Sequence, residues 1–277
     1  MYVKENIKDE VYKGVVSYFF NKCDVVSFTY RPDQHDDNTQ KLKKILSELH
    51  YSQSFIERNY SCEFIGEFFK KNKDNHLLFD NEYKNSYEKH LKNDYNGYRD
   101  FKTNLSNKSM LYDKYDKYNI KIDLDNLTFE EYKKFIVYDK RLNYIWSIFS
   151  RFFYTYKVKE ILDKYKDNMI YKEVNSNGGK ITNIRYFFKI TKNLQKNIIK
   201  KNSIFDWCYP NSIEDICFYN NGFCRLFSVA HEKMLDIFCK DEEEYNHLKT
   251  IGVKFYNDVF IPTKKDDMIF EKYIDAK

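Results

Sequence analysis

The chain of 277 residues carries 47 basic and 42 acidic side chains, a formal charge of +5, and 42% hydrophobic residues. That apolar content fills the core of one large domain or two ordinary ones, and the near balance of charge excludes the concentrated field of a dedicated nucleic-acid binder. No run approaches the roughly 18 apolar residues of a membrane span, and the opening MYVKENIKDEVYKG lacks the apolar stretch of a secretory signal. A cytosolic protein is expected, with Cys23, Cys62, Cys208, Cys217, Cys224 and Cys239 as reduced thiols.

Aromatic residues make up 19% of the chain, with 26 Tyr and 24 Phe, whereas Ala230 and Ala276 are the only alanines. Lys far outnumbers Arg, and Pro and Gly are scarce. This is the signature of a very AT-rich genome, in which Tyr and Phe serve as the ordinary filler of cores.

In chain order, GVVSYFF and DVVSFTY are rich in β-branched and aromatic residues and predict an N-terminal hairpin. Leu42, Ile45, Leu46 and Leu49 then recur at i, i+3, i+4 and i+7, one apolar helical stripe suited to covering a sheet. Between residues 51 and 127 the pattern is weak: CEFIGEFFKKN reads as a helix, and the tyrosine-rich stretch after it as loops or irregular helices. Exposed tyrosine combines apolar area with a polar tip, so Tyr95, Tyr98, Tyr112, Tyr115 and Tyr118 are the candidate partner contacts. The competing reading is a solvated connector.

Thr128 and Glu131 form a T-x-x-E capping box before Phe135, Leu142, Ile145, Trp146, Phe149, Phe152 and Phe153. This predicts one long central helix, or two in succession. Beyond it, Asn-Gly-Gly at 177–179 and Asn221-Gly222 each close a hairpin, MLDIFC and VKFY read as strands, and DEEEYNHLKT reads as a helix stopped by Gly252. The fold class is therefore α+β, with antiparallel hairpin-built sheets, covering helices and a long central helical segment. The expected segments are 1–127, an N-terminal α+β unit; 128–168, helical; and 169–277, a C-terminal α+β unit.

Complete catalytic motifs are absent. A zinc site can be drawn from Cys208, Cys217, Cys224, Cys239 and His231, but no two cysteines are closer than Cys217 and Cys224, and zinc ligands usually come in closer pairs. His231-Glu232 is not H-E-x-x-H, because Leu235 stands where the second histidine belongs. Neither phosphate-loop pattern occurs. The DLDN stretch at 123–126 lacks the glycine and distal glutamate of a calcium loop, and His35, Asp36 and Asp37 read as a turn leading into a helix. The basic KITKNLQKNIIKK stretch offers phosphate contacts, although acidic residues interleave elsewhere.

The block at 205–255, with its aromatic-Pro-Asn-x-x-Glu-Asp lead, S-V-A-H-E strand end and E-E-E-Y helix running into L-K-x-I-G, resembles small uncharacterised proteins of low-GC Gram-positive bacteria and their phages or mobile elements. The resemblance implies such a source and transfers no activity. The expected function is a non-enzymatic protein-binding module, an inhibitor or immunity protein of a phage or mobile element acting on a bacterial defence or toxin protein. No cofactor, metal or catalytic residue is expected. Nucleic-acid binding and a metal- or thiol-dependent hydrolase are the alternatives, and self-association is compatible with so aromatic a chain.

Overall fold

The computed structural model describes residues 1–32, 43–44, 46–52, 55–56, 59–72 and 95–262. In chain order its main elements are α1 (Asp9–Lys22), β1 (Val25–Tyr30), α2 (Cys62–Asn72), α3 (Tyr95–Thr103), α4 (Leu105–Lys117) and α5 (Phe129–Tyr165). There follow β2 (Met169–Asn177), β3 (Lys180–Lys189), α6 (Lys192–Ile198), β4 (Glu214–Asn220), β5 (Phe223–Val229), β6 (Met234–Ile237) and α7 (Glu242–Ile251). This is an α+β protein of two compact units, Met1–Gln34 with Tyr154–Lys277, and His35–Phe153. Among the described residues no helix is long and apolar enough to cross a membrane.

The first unit holds one six-stranded antiparallel sheet in the order β2-β3-β1-β4-β5-β6. The division therefore differs from the three consecutive segments expected: β1 pairs with β3 and β4, so the N-terminus belongs with the C-terminal sheet, and α5 runs from one unit into the other.

The expected N-terminal hairpin is replaced by a helix and a strand. The stretch GVVSYFF lies within α1, where Tyr12, Val15, Val16, Phe19 and Phe20 are buried at helical spacing. The β-branched residues favour a strand locally, yet their apolar face has period 3.6 once Tyr12 is counted, and packing on a sheet overrides a weak local preference. Close packing adds a second reason: a Cβ at Gly14 would lie 2.7 Å from Ile251 Cγ2 of α7.

Both predicted hairpins form. Gly178 and Gly179 (φ +57° and +79°) join β2 to β3, and Asn221 and Gly222 (φ +50° and +80°) join β4 to β5. These are the positive-φ pairs that match strand twist in a two-residue turn. Asn220 pairs with Phe223 and Tyr219 with Cys224, as the turn chemistry requires. The apolar core beneath the sheet includes Phe19, Phe28, Phe188, Phe218, Leu226 and Ile237. MLDIFC contributes β6, whereas VKFY makes only an isolated bridge from Phe255 to Val3. Asp241 caps α7 by accepting from the Glu244 amide at 2.9 Å, and Gly252 ends it at φ +109°.

The second unit is helical and aromatic. Phe68 stacks edge-on against Phe149 at 4.9 Å, and Phe101 meets Tyr132 at 5.2 Å. The capping box forms: the Thr128 amide donates to Glu131 at 2.8 Å and the Glu131 amide donates to Thr128 Oγ1 at 3.3 Å. The single helix it starts is 37 residues long. Leu46 of the expected amphipathic stripe is buried, and residues 43, 44 and 46–48 are helical; Leu42 and Ile45 lie outside the described residues, as do His35, Asp36 and Asp37.

Candidate functional site

The polar centre of the first unit is built where β4 begins. Glu214 and Asp215 are 4% and 3% exposed, and Asp215 sits at φ +53°, a left-handed conformation that Asp tolerates better than most residues. Arg31, just past β1, reaches both carboxylates: Nη1 donates to Glu214 Oε2 at 2.8 Å and Nη2 to Asp215 Oδ2 at 2.7 Å. Tyr154 donates to Glu214 Oε1 at 2.9 Å, and the Ala230 amide donates to Asp215 Oδ1 at 2.8 Å. Every carboxylate oxygen of the pair thus has a donor, the condition under which buried charge is tolerated.

The charges tune one another. Burial pushes the Glu214 carboxyl up from its ordinary value, against the pull of Arg31 and the Tyr154 hydroxyl. Burial, then the Glu214 charge, pushes Tyr154 far up, so it remains a donor. Burial works to lower the Arg31 guanidinium, but Asp215 and Glu214 outweigh it and the net movement is upward.

His231, in the short helical turn after β5, brings a ring nitrogen to this pair. One ligand atom each from Glu214, Asp215 and His231 lies within 4.8 Å of the others, the one such group among the described residues. Two carboxylates and an imidazole suit a divalent cation of intermediate hardness. The guanidinium already lying on both carboxylates would compete with it, so the arrangement works first as a latch tying the end of β1 to the start of β4 and to Tyr154.

Among the described residues the group around His231 includes no cysteine. Cys217 and Cys224 are fully buried beside Val25, Phe187 and Tyr219. Burial raises the thiols of Cys62, Cys208 and Cys217, and pushes Cys23 and Cys239 up to about 12. Such thiols stay protonated at neutral pH and are poor nucleophiles.

The five tyrosines do not make one surface. Tyr95 is 62% exposed, but Tyr115 and Tyr118 are core residues at 1% and 6%, and burial removes both from any contact surface of this fold. Tyr98 is half-buried and donates to the Leu127 carbonyl at 2.7 Å; Tyr112 donates to Asp125 at 3.0 Å, and Tyr115 donates to Asp139 at 2.7 Å. In a segment short of aliphatic residues, tyrosine fills the core and satisfies its own hydroxyl. The DLDN stretch is a polar lead, with the Asp125 amide donating to Asp123.

A different surface is open. Among the described residues β2 lies at the end of the sheet and pairs only with β3. Eight of its nine residues are exposed, and its large apolar side chains, with Ile181 opposite, project into solvent: Ile170 38%, Tyr171 42%, Val174 46%, Ile181 44%. From Tyr171 to Asn175 the register is regular, so Lys172 and Val174 share one face while Tyr171, Glu173 and Asn175 share the other.

Sequence reasoning noted Glu214-Asp215 without a role and passed over Arg31 and Tyr154. The available signal was an arginine directly after a strand in a lysine-dominated chain, since guanidinium is the group suited to gripping two carboxylates. No protein-family model, curated protein or solved structure matches this chain.

Proposed function

We propose that this protein is a non-enzymatic protein-binding module whose contact surface is the β2–β3 hairpin, where an extended segment of a partner adds to β2 as a further strand. The observation that carries the reading is the edge of β2 left unpaired among the described residues, together with the exposed Ile170, Tyr171, Val174 and Ile181 of the hairpin. Unpaired edge amides and carbonyls supply affinity for any extended chain, and the alternating side chains supply selectivity. Exposed edges of this length are normally blunted or covered. Here Lys172 and Glu173 select against indiscriminate pairing, while the apolar residues flanking them favour a partner strand with apolar residues at matching positions.

The setting expected from residues 205–255 is a bacterium with its phages or mobile elements, and the partner class is a bacterial defence or toxin protein met in the cytoplasm. The buried carboxylates engaged by Arg31 and the protonated thiols support the non-enzymatic reading.

The test is capture of partners from host lysate, with and without nuclease, by the native chain and by an Ile170→Lys, Val174→Lys, Ile181→Lys variant. These three sites are exposed, so the variant folds. A stoichiometric protein that survives nuclease and is lost with the variant supports the proposal. Equal capture by both chains, recovery of nucleic acid alone, or a self-dimer as the sole complex overturns it.

A further inference from the structure

A separate cavity of about 200 Å³ lies in the first unit. The last turns of α5 form one wall: Lys157, Ile161, Lys164 and Tyr165 follow at helical spacing and so share a face. The α6 residues Leu194 and Ile198 and the buried rings of Phe28 and Trp207, 4.9 Å apart, make an apolar floor. Lys201, from the basic stretch that the sequence singled out, completes the rim. Asn197, Asn211 and Ser212 add neutral polar groups.

The rim is electropositive in a specific way. Lys157 pairs with Glu160 at 2.9 Å, and Lys164 donates to Asn197 Oδ1 at 3.0 Å. Lys201 stands over the Trp207 ring at 5.5 Å, and among the described residues no carboxylate lies within ion-pair distance of it. Burial lowers its ammonium from the ordinary lysine value, the Asp206 carboxylate offsets part of this, and the Lys157 charge adds to it. Tyr165, 3% exposed, lies on the same wall with the Asn197 side chain beside its hydroxyl. Asn197 beside it uses its oxygen on Lys164 and its amide on the Asn193 carbonyl.

We propose that this cavity binds a phosphomonoester carrying a flat ring, with Lys201, Lys164 and Lys157 around the phosphate and the ring against the floor of Phe28, Ile198 and Trp207. Three ammonium groups and the Glu160 carboxylate give the lining a net charge of +2, which a phosphomonoester of nearly two negative charges neutralises. The cavity admits a ring and leaves the remainder of a ligand at its mouth. Both a free mononucleotide and the 5′-phosphate end of a nucleic-acid strand present this chemistry. The proposal is independent of the hairpin, and either can fail alone.

Trp207 reports directly on the site. With Trp146, the second of the two tryptophans, changed to Phe, the fluorescence of Trp207 is followed while adenosine monophosphate, inorganic phosphate, adenosine and a 5′-phosphorylated oligonucleotide are titrated in turn, with calorimetry as a second readout. The expected result is saturable binding of the monophosphate, weaker binding of phosphate or adenosine alone, and a loss of roughly tenfold to hundredfold in Lys201→Gln. Among the described residues Lys201 forms no ion pair, so the variant keeps its fold. Binding of the oligonucleotide alone assigns the strand end as the source. No binding of any probe at millimolar concentration, equal binding of phosphate and monophosphate, or an unaltered Lys201→Gln variant overturns the proposal.

Discussion

β4 and β2 belong to one sheet, and each is closed by a two-residue turn of positive-φ residues, yet their surroundings are opposite. Six of the seven β4 residues are buried, flanked by β1 and β5, while β2 has one neighbour among the described residues and exposes nearly its whole length. Local turn chemistry makes both hairpins; position in the sheet decides what each is used for. The central strand carries packing and the buried charge of Glu214 and Asp215. The edge strand carries little of the stability, and its apolar side chains are free to serve recognition.

That contrast is broken most forcefully by a matched pair of truncations. Phe218 of β4 is fully buried and packs against Phe20 at 5.2 Å, so Phe218→Ala costs about 3–5 kcal/mol by denaturant unfolding. Val174→Ala on β2 stays within about 0.5 kcal/mol. Comparable losses at the two positions would show that β2 is a packing strand after all.

Next comes the latch. Arg31→Met strands two buried carboxylates and costs about 3 kcal/mol, the low end for a broken buried pair because the Arg31 side chain is 37% exposed. The deficit has a pH signature. Glu214 is raised in the folded state, so its contribution is retained below its unfolded value and lost as pH rises through the folded one. Removing Arg31 raises it further, and the Arg31→Met deficit therefore shrinks on going from pH 8 to pH 5. Thermal unfolding at the two pH values checks this, and a deficit that grew in acid would point to a role other than neutralising carboxylates.

Smaller effects sharpen the comparison. Gly222→Ala forces a Cβ into a left-handed turn and costs about 1–2 kcal/mol of global stability; Gly178→Ala meets the same strain, but hydrogen exchange should show it as fraying of β2 with the core unchanged. Thr128→Ala removes one side of the capping box and costs about 1 kcal/mol. That loss should appear in the second unit alone.

Much of the fold was legible where local chemistry and tertiary context agree. Asn221-Gly222, the Gly178-Gly179 turn, the Thr128 capping box and the Gly252 stop each rest on a backbone requirement that few residues meet. The errors arose where the two disagree. In GVVSYFF the β-branched residues suggested a strand, and only the Tyr12, Val15, Val16, Phe19 spacing revealed a helix. Tyr115 and Tyr118 looked like surface because their segment is polar, yet scarcity of aliphatic residues drew them inward. Arg31, Tyr154, Glu214 and Asp215 meet only through the pairing of β1 with β4, a long-range event with no local trace. The edge position of β2 is likewise a property of sheet order, and alternation within MIYKEVNSN does not disclose it.

The most direct test of strand addition is amide hydrogen exchange across the chain, free and in complex with its captured protein partner. Strand addition predicts new protection across residues 169–177, with the already buried β4 unchanged. Protection centred on Tyr95 and its neighbours, with β2 exchanging as fast in the complex as in the free chain, would contradict it.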